Sequence, residues 1–117
     1  MKNFIDEKIL DKAKDWIAKK NKVVLATVVQ TWGSSPRPIG SKMIVNEKGD
    51  FSGSVSGGCV ESMVINECIN LLKKNNSYKK IEFKVADKNA WKVGLSCGGE
   101  IIIFLEKKSV LILILVF

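Results

Sequence analysis

Hydrophobic residues near the start of the chain recur at the spacing of a helix. Over residues 4–19, acids and lysines occupy one face and apolar residues the other. This period predicts an amphipathic helix that packs its apolar face on a core. The residues predicted to lie on that face are Ile5, Ile9, Ala13, Trp16 and Ile17.

Three later segments have the pattern of strands. Residues 22–32 (KVVLATVVQTW) and 100–106 (EIIIFLE) are nearly continuous apolar runs, which predict buried strands. Residues 78–85 (YKKIEFKV) alternate instead, which predicts a strand with one exposed face. In that strand the apolar positions are Ile81, Phe83 and Val85, and the polar positions are Lys80, Glu82 and Lys84.

A hairpin and a second helix are predicted between these strands. Residues 41–55 (SKMIVNEKGDFSGSV) read as two short strands joined by the turn NEKGD. After two glycines, residues 59–74 return to a helical period. The apolar stripe of this helix consists of Val60, Val64, Cys68, Leu71 and Leu72, widened by Ile65 and Ile69.

Two segments are predicted as loops, and the chain closes on an apolar run. Residues 33–40 (GSSPRPIG) hold two prolines and two glycines, which exclude a regular strand ladder. Residues 86–99 form the second predicted loop, and residues 110–117 (VLILILVF) form a candidate last strand. The order predicts an α/β fold, with a mixed β-sheet of about five to six strands packed with two main helices in a single compact domain, residues 1–117.

The charge balance narrows the function only slightly. The net charge is +7, which raises nucleic acid as a partner. However, the basic residues are scattered lysines, and Arg37 is the single arginine of the chain. Since nucleic-acid sites favour arginine for its planar fork of donors, we expect no nucleic-acid partner. The chain also has no histidine, which excludes Ser-His-Asp and Cys-His catalysis and histidine metal sites within it.

The cellular compartment is predicted from the cysteines and the apolar segments. The N-terminal segment is charged throughout and does not have the pattern of a signal peptide. The run at residues 110–117 is shorter than the roughly 20 residues that a membrane-spanning helix needs. Three cysteines without a secretion signal are typical of reduced thiols. We therefore expect a cytoplasmic protein without a membrane partner.

Cys59 stands directly after two glycines and at the predicted start of the second helix. If that helix begins near Gly58, Cys59 lies in its first turn, where free N–H groups stabilise a thiolate. Gly57 and Gly58 would let a ligand approach the backbone, and tandem glycines can form an anion-binding nest. Position alone is equally compatible with a buried cysteine after a tight turn.

A second cysteine favours the functional interpretation. Cys97 lies in a polar, glycine-rich segment just before a predicted strand, and Gly98 and Gly99 follow it. Two elements that join a cysteine to tandem glycines, both at junctions between loops and regular elements, make a packing accident less plausible, so a shared site with Cys59 is predicted. Cys68 falls within the apolar stripe of the second helix and is predicted to be a core residue.

The segment TWGSSPRPIG places Arg37 between two prolines. Prolines restrict the backbone and lower the entropic cost of holding a loop ready for a ligand. A guanidinium beside Ser34 and Ser35 suits a phosphate or another oxyanion. The alternative is a rigid surface turn. No Walker A loop, no G-x-G-x-x-G fingerprint and no C-x-x-C pair is present elsewhere in the sequence.

Three blocks in this order, ATVVQTWGSSPRPIGSKMIV, GSVSGGCVE and VGLSCGGEIIIFLE, resemble the N-terminal domain of the XdhC/CoxI family. The resemblance runs from about residue 5 to residue 106. It implies an accessory protein, or chaperone, that binds molybdenum cofactor (molybdopterin) transiently. Such a protein supports sulfuration of the cofactor by a cysteine desulfurase and its delivery to a molybdenum hydroxylase apo-enzyme such as xanthine dehydrogenase.

The resemblance also implies cofactor-binding residues in each block. In this sequence they are Ser34, Ser35, Pro36 and Arg37, then Ser56, Gly57, Gly58, Cys59 and Glu61, then Ser96, Cys97, Gly98 and Gly99. Cys59 and Cys97 are candidate molybdenum contacts. Longer family members continue into a Rossmann-like second domain, whereas this sequence stops at Phe117. We therefore expect the second domain to be absent or truncated here.

Three classes of function remain open on the sequence. The leading hypothesis is a cofactor chaperone without turnover of its own. The second is a sulfur or redox relay in which Cys59 and Cys97 form a persulfide or a disulfide, and the third is a module that only docks partners. Since an apolar terminal strand left at an edge would aggregate, we also expect a homodimer that covers residues 110–117.

Overall fold

The chain folds around one sheet with a helix on each face. The computed structural model describes residues 4–32, 38–56, 60–84 and 100–108. Its elements, in chain order, are α1 (Phe4–Ala18), β1 (Val23–Trp32), β2 (Lys42–Asn46), β3 (Phe51–Gly53), α2 (Glu61–Leu72), β4 (Tyr78–Lys84) and β5 (Glu100–Lys108). The strands form a five-stranded sheet in the order β3-β2-β1-β5-β4.

The predicted α/β fold with two helices and a five- to six-stranded sheet is confirmed. Each predicted helix and strand up to residue 108 has a counterpart in the structure, with boundaries within two or three residues. The predicted loop at residues 86–99 and the predicted strand at residues 110–117 lie outside the described residues.

The sheet differs from the prediction in its pairing. We expected a mixed sheet, but all four pairings among the described strands are antiparallel. The reason is the path of the chain between β3 and β5. α2 carries the chain back along the sheet, so β4 runs in the same direction as β3. These two strands lie at opposite edges, and β5 enters between β4 and β1 in the reverse direction.

The first part of β1 is buried on both faces, as its apolar sequence predicts, whereas Val29 and Gln30 near its end are exposed. Val24, Ala26 and Val28 face the core formed with α2. Val23 and Leu25 belong to a second cluster with α1. This alternation follows from the two-residue period of a strand, so the two helices pack on opposite faces of the sheet.

Each helix contributes an apolar stripe to its own face of the sheet. In α1, Ile9, Ala13 and Trp16 are buried and Ile17 packs against them, as predicted. The prediction for Ile5 lies outside the side chains that the structure describes. From α2, Val64, Cys68 and Leu71 are buried, together with Val60 just before the helix. Both stripes keep the helical spacing predicted from the sequence.

The strand β5 is covered less completely than its sequence suggested. Ile101, Ile103 and Leu105 are buried on the α2 face, but Ile102 and Phe104 on the other face are only partly buried. The cause is the placement of α1, which packs over β1, β2 and β3. On this face of β4, Tyr78 stacks on Phe104, with the ring centroids 5.5 Å apart.

Candidate functional site

The strand directions bring five strand ends towards one end of the sheet. β1 ends there at Trp32 and β5 begins there at Glu100, and these two residues are partners in the ladder. Lys84, at the end of β4, is also paired with Glu100. β2 begins and β3 ends towards the same end, but Lys42 is paired with Thr27 and Gly53 with Met43, so both strands stop short of Trp32. We call this end of the sheet, marked by Trp32, Lys84 and Glu100, the motif end.

The described residues that flank the three blocks of candidate site residues lie towards the motif end. Residues 33–37 continue from the end of β1, and residues 94–99 lead into the start of β5. Residues 57–59 lie between β3 and α2. The described elements therefore direct the flanks of all three blocks towards the same end of the sheet, although the blocks are far apart in sequence.

The start of α2 is tied to the end of β3 by the carboxylate of Glu61. Its Oε2 accepts hydrogen bonds from Ser54 Oγ at 2.7 Å and from the backbone N–H groups of Val55 and Ser56, both at 3.0 Å. Its Oε1 accepts a hydrogen bond from Ser56 Oγ. Ser56 Oγ in turn accepts a hydrogen bond from the backbone N–H of Val60 at 2.9 Å. We call these five residues the Glu61 network.

The hydrogen bonds of the Glu61 network lower the pKa of Glu61. Partial burial alone would raise the pKa of Glu61, because it penalises the charged form. The hydrogen bonds from Ser56 and Ser54, with those from the backbone of Ser56 and Val55, outweigh that penalty and lower the pKa from 4.5 to about 2. The carboxylate is therefore ionised at neutral pH and negative beside the N-terminus of α2, where the helix dipole favours an anion.

The lowered pKa of Glu61 predicts a loss of stability in acid. A folded-state pKa below the usual value means that the contribution of Glu61 is complete above about pH 4.5 and is lost as the pH falls towards about 2. Since the side chain is partly exposed, we expect Glu61 to contribute about 1–2 kcal/mol to the free energy of unfolding at neutral pH. Urea unfolding of the wild type and of Glu61→Gln, each near pH 7 and near pH 3, measures this contribution. The difference between the two proteins should shrink in acid, and an unchanged difference would refute this assignment.

Two of the predicted site residues, Ser56 and Glu61, lie within the described residues, and the structure brings them together. The side chain of Ser56 is 1% exposed, and its described hydrogen bonds go to Glu61 and Val60. The other predicted cofactor-binding residues lie outside the described residues, and their shared site stays a prediction. They are Ser34, Ser35, Arg37, Gly57, Gly58, Cys59, Ser96, Cys97, Gly98 and Gly99.

The start of α2 corrects one argument about Cys59. We predicted a helix from residue 59, with Cys59 in its first turn, but α2 begins at Glu61 and Val60 is its N-cap. Val60 has φ −130° and ψ 12°, which is not a helical conformation. The sequence position of Cys59 therefore precedes the cap. The argument that first-turn N–H groups activate this thiol no longer holds.

The prediction for Cys68 is confirmed. Its side chain is fully buried in the core between α2 and the sheet. Burial raises the pKa of the thiol to about 12, with a smaller contribution from the charge of Glu67. A thiol with this pKa is almost entirely protonated at neutral pH and is a poor nucleophile. Cys68 is therefore a structural residue.

Sequence reasoning missed the role of Ser54. Its hydroxyl donates to Glu61, and its backbone N–H donates to the carbonyl of Lys42 at 3.1 Å. Ser54 thus connects the start of β2 with the start of α2. A serine in a turn gives no periodic signal, although a serine upstream of a helix with a glutamate in its first turn resembles an extended capping box.

A cavity of about 430 Å³ lies away from the motif end. It is formed where α1 and α2 end, β1 begins and β5 ends, so it is at the opposite end of the sheet. Its lining residues include Ile17, Val23 and Leu72 with Lys20, Lys22, Lys107 and Lys108. Part of the positive charge of the chain therefore lies far from the candidate site.

Within the described ranges, no three His, Cys, Asp or Glu side chains are grouped so that they could hold a metal ion. The candidate molybdenum contacts Cys59 and Cys97 lie outside those ranges. Among the helices of the described part of the chain, none is both long and apolar enough to cross a membrane.

The described residues define a class by their fold, which is a five-stranded antiparallel sheet between two helices. The sequence profile of the XdhC and CoxI family matches residues 16–83, which is more than half of the chain. The chain therefore belongs to the XdhC and CoxI family.

Two curated relatives are similar in sequence. The molybdenum cofactor insertion chaperone PaoD of Escherichia coli is 36% identical over 85 residues, which are 72% of this chain and 26% of the relative. A probable xanthine dehydrogenase subunit from Bacillus subtilis is 33% identical over 89 residues, which are 75% of this chain and 27% of the relative. The chain thus spans about a quarter of the length of these relatives.

A solved structure shares the fold. The match is to the crystal structure of a xanthine dehydrogenase from Bacillus halodurans, with a TM-score of 0.71 and 23% sequence identity. The match covers 86% of this chain and 30% of the solved chain. At this identity the likeness shows a common fold.

Proposed function

We propose that this chain is a molybdenum cofactor chaperone that binds the cofactor at the motif end as its cargo. It supports sulfuration of the cofactor and delivers it to a molybdenum hydroxylase such as xanthine dehydrogenase. The observation that carries the proposal is that the described strands and helix flanking the three blocks all direct those blocks towards one end of the sheet.

The residue types of the three blocks match the chemistry of this cargo. Arg37 is suited to the terminal phosphate, because a guanidinium forms paired, charge-assisted hydrogen bonds with an oxyanion. Cys59 and Cys97 are suited to a soft, sulfur-rich centre. The tandem glycines beside both cysteines remove side chains and leave room for a flat pterin.

The names of the relatives support the same role. PaoD is a molybdenum cofactor insertion chaperone, and the Bacillus subtilis relative belongs to a probable xanthine dehydrogenase. We therefore propose a molybdenum hydroxylase apo-enzyme and a cysteine desulfurase as partners, in the cytoplasm. We propose further that the chain corresponds to the N-terminal domain of the longer proteins and forms a homodimer that covers residues 110–117.

The test is to purify the full chain from a molybdenum-replete host and to assay bound pterin and molybdenum. We expect both in equal amounts in the wild type, and a loss of both in the double variant Cys59→Ser, Cys97→Ser. Wild-type protein free of pterin and without affinity for added cofactor would overturn the proposal. A cofactor-free protein that gains about 32 Da on Cys59 or Cys97 after incubation with a desulfurase and cysteine would instead support the sulfur relay.

A further inference from the structure

The Glu61 network closes around a short segment of the chain. Ser56 and Val60 stand on either side of residues 57–59, and the hydroxyl of Ser56 accepts a hydrogen bond from the Val60 N–H at 2.9 Å. The same hydroxyl donates to Glu61, the residue after Val60. The two flanks of Gly57-Gly58-Cys59 are therefore held together by described hydrogen bonds, and Glu61 accepts bonds from the upstream flank.

The hydrogen bond to Val60 satisfies the backbone N–H of the N-cap residue from outside the helix. A helix leaves its first N–H groups without partners inside the helix, and a polar side chain at the N-cap usually accepts one of them. Val60 has no side chain that can do so. Ser56, four residues earlier, bonds the N–H of Val60 itself, and it is oriented by its own bonds to Glu61.

The network also reaches the sheet. Ser54 donates its hydroxyl to Glu61 and its backbone N–H to the carbonyl of Lys42 at the start of β2. A glutamate that served only the helix dipole would not need two backbone donors from the preceding segment. Here those donors, the N–H groups of Val55 and Ser56, lie 3.0 Å from one carboxylate oxygen. Glu61 therefore links sheet, connecting segment and helix.

We propose that Glu61 is a positioning residue that fixes Ser56 and Val60 relative to each other, and so sets the start of α2 beside the end of β3 for binding of the cargo. This role rests on the proposed function. It differs from the role that the family resemblance implied, in which Glu61 itself binds the cofactor. Four described hydrogen bonds to Glu61 come from Ser54, Val55 and Ser56, the residues between β3 and the start of α2.

Two substitutions of Glu61 distinguish the effect of the position of its carboxylate from the effect of its charge. Glu61→Gln keeps the shape of the side chain, but its amide group presents N–H donors where Glu61 Oε1 accepts from Ser56. Glu61→Asp keeps the negative charge beside the helix, but its carboxylate is one methylene short of the donors. Glu67→Gln is the matched control, because Glu67 lies on the same helix and pairs with Lys79 at 2.9 Å, outside the network.

The first measurement is amide hydrogen exchange in the full chain. We expect the N–H groups of Val55, Ser56 and Val60 to exchange about tenfold faster in Glu61→Gln and Glu61→Asp than in the wild type. The amides of Cys68 and Leu71, in the last turns of α2, report the loss of global stability that the substitutions also cause, and the acceleration of the three network amides should exceed theirs. Equal acceleration at all five positions would show general destabilisation and would overturn the positioning role.

The second measurement is the affinity for molybdenum cofactor prepared anaerobically. We expect about a tenfold weaker Kd for both Glu61 variants and an unchanged Kd for Glu67→Gln. Wild-type affinity in Glu61→Asp would show that charge is sufficient and would overturn the proposal. Wild-type affinity in both Glu61 variants would overturn the positioning role and leave the proposed function intact. A wild type without affinity would overturn the proposed function and this role in cargo binding together.

Discussion

Gly53→Ala is expected to destabilise the fold by about 3–5 kcal/mol, because strain and steric overlap act together. Gly53 has a φ of +89°, which residues with a Cβ rarely adopt. A Cβ built there would overlap the carbonyl oxygen of Lys42 and would lie 2.7 Å from Ile9 Cδ1 and 3.2 Å from the Cα of Met43. The end of Ile9 can move, but the backbone of β2 cannot do so without disturbing the sheet.

Gly40→Ala introduces the backbone strain without the steric overlap. Gly40 has a similar φ of +94°, but a Cβ there would meet no atom within 4 Å. We expect it to cost only the backbone strain, about 1–2 kcal/mol. Urea unfolding of both variants gives the comparison. If Gly53→Ala is no more destabilising than Gly40→Ala, then β3 does not approach β2 as closely as the structure shows.

Arg37→Ala is expected to weaken cofactor binding by about 1.5–3 kcal/mol, which is a factor of about 10–150 in Kd. The reason is the loss of a charge-assisted contact with the cofactor phosphate. We expect Arg37→Lys to recover only part of the affinity, because an ammonium keeps the charge but not the planar fork of donors. Titration of the full chain with anaerobically prepared cofactor gives the three Kd values.

Lys80→Ala is the control for charge. Lys80 is exposed on β4, and its replacement changes the net charge by the same amount as that of Arg37. If both variants weaken binding equally, the effect is one of total charge and Arg37 has no specific role. If Arg37→Ala instead lowers the melting temperature strongly, its role is in folding rather than in binding.

The periodic elements could be predicted because their burial is periodic. In β4, Ile81 and Phe83 are buried while Lys80 and Glu82 are exposed, so the sequence itself records which face packs on the core. The strand β5 shows the limit of this reasoning. Its continuous apolar run indicated burial on both faces, but Ile102 is only partly buried, because the coverage of that face depends on where α1 packs.

The start of α2 could not be predicted to the residue. The usual signal is Ser, Thr, Asp or Asn at the N-cap, but here the cap is Val60 and the accepting hydroxyl belongs to Ser56, four residues upstream. The family resemblance implies that Glu61 contacts the cofactor, and this stays a prediction. The bonds of Glu61 to Ser54 and Ser56 depend on the path of the chain between β3 and α2, which no local pattern records.

The central claim is that the segments bearing Cys59 and Cys97 line one cofactor site at the motif end. The most direct test is alkylation of the three cysteines of the full chain at neutral pH, with and without cofactor, followed by peptide mass mapping. Cofactor at about ten times its Kd should slow alkylation of both Cys59 and Cys97 about tenfold. Cys68, buried and with a pKa raised to about 12, should react slowly in both states. Bound cofactor that protects only one of the two thiols, or neither, would contradict the claim.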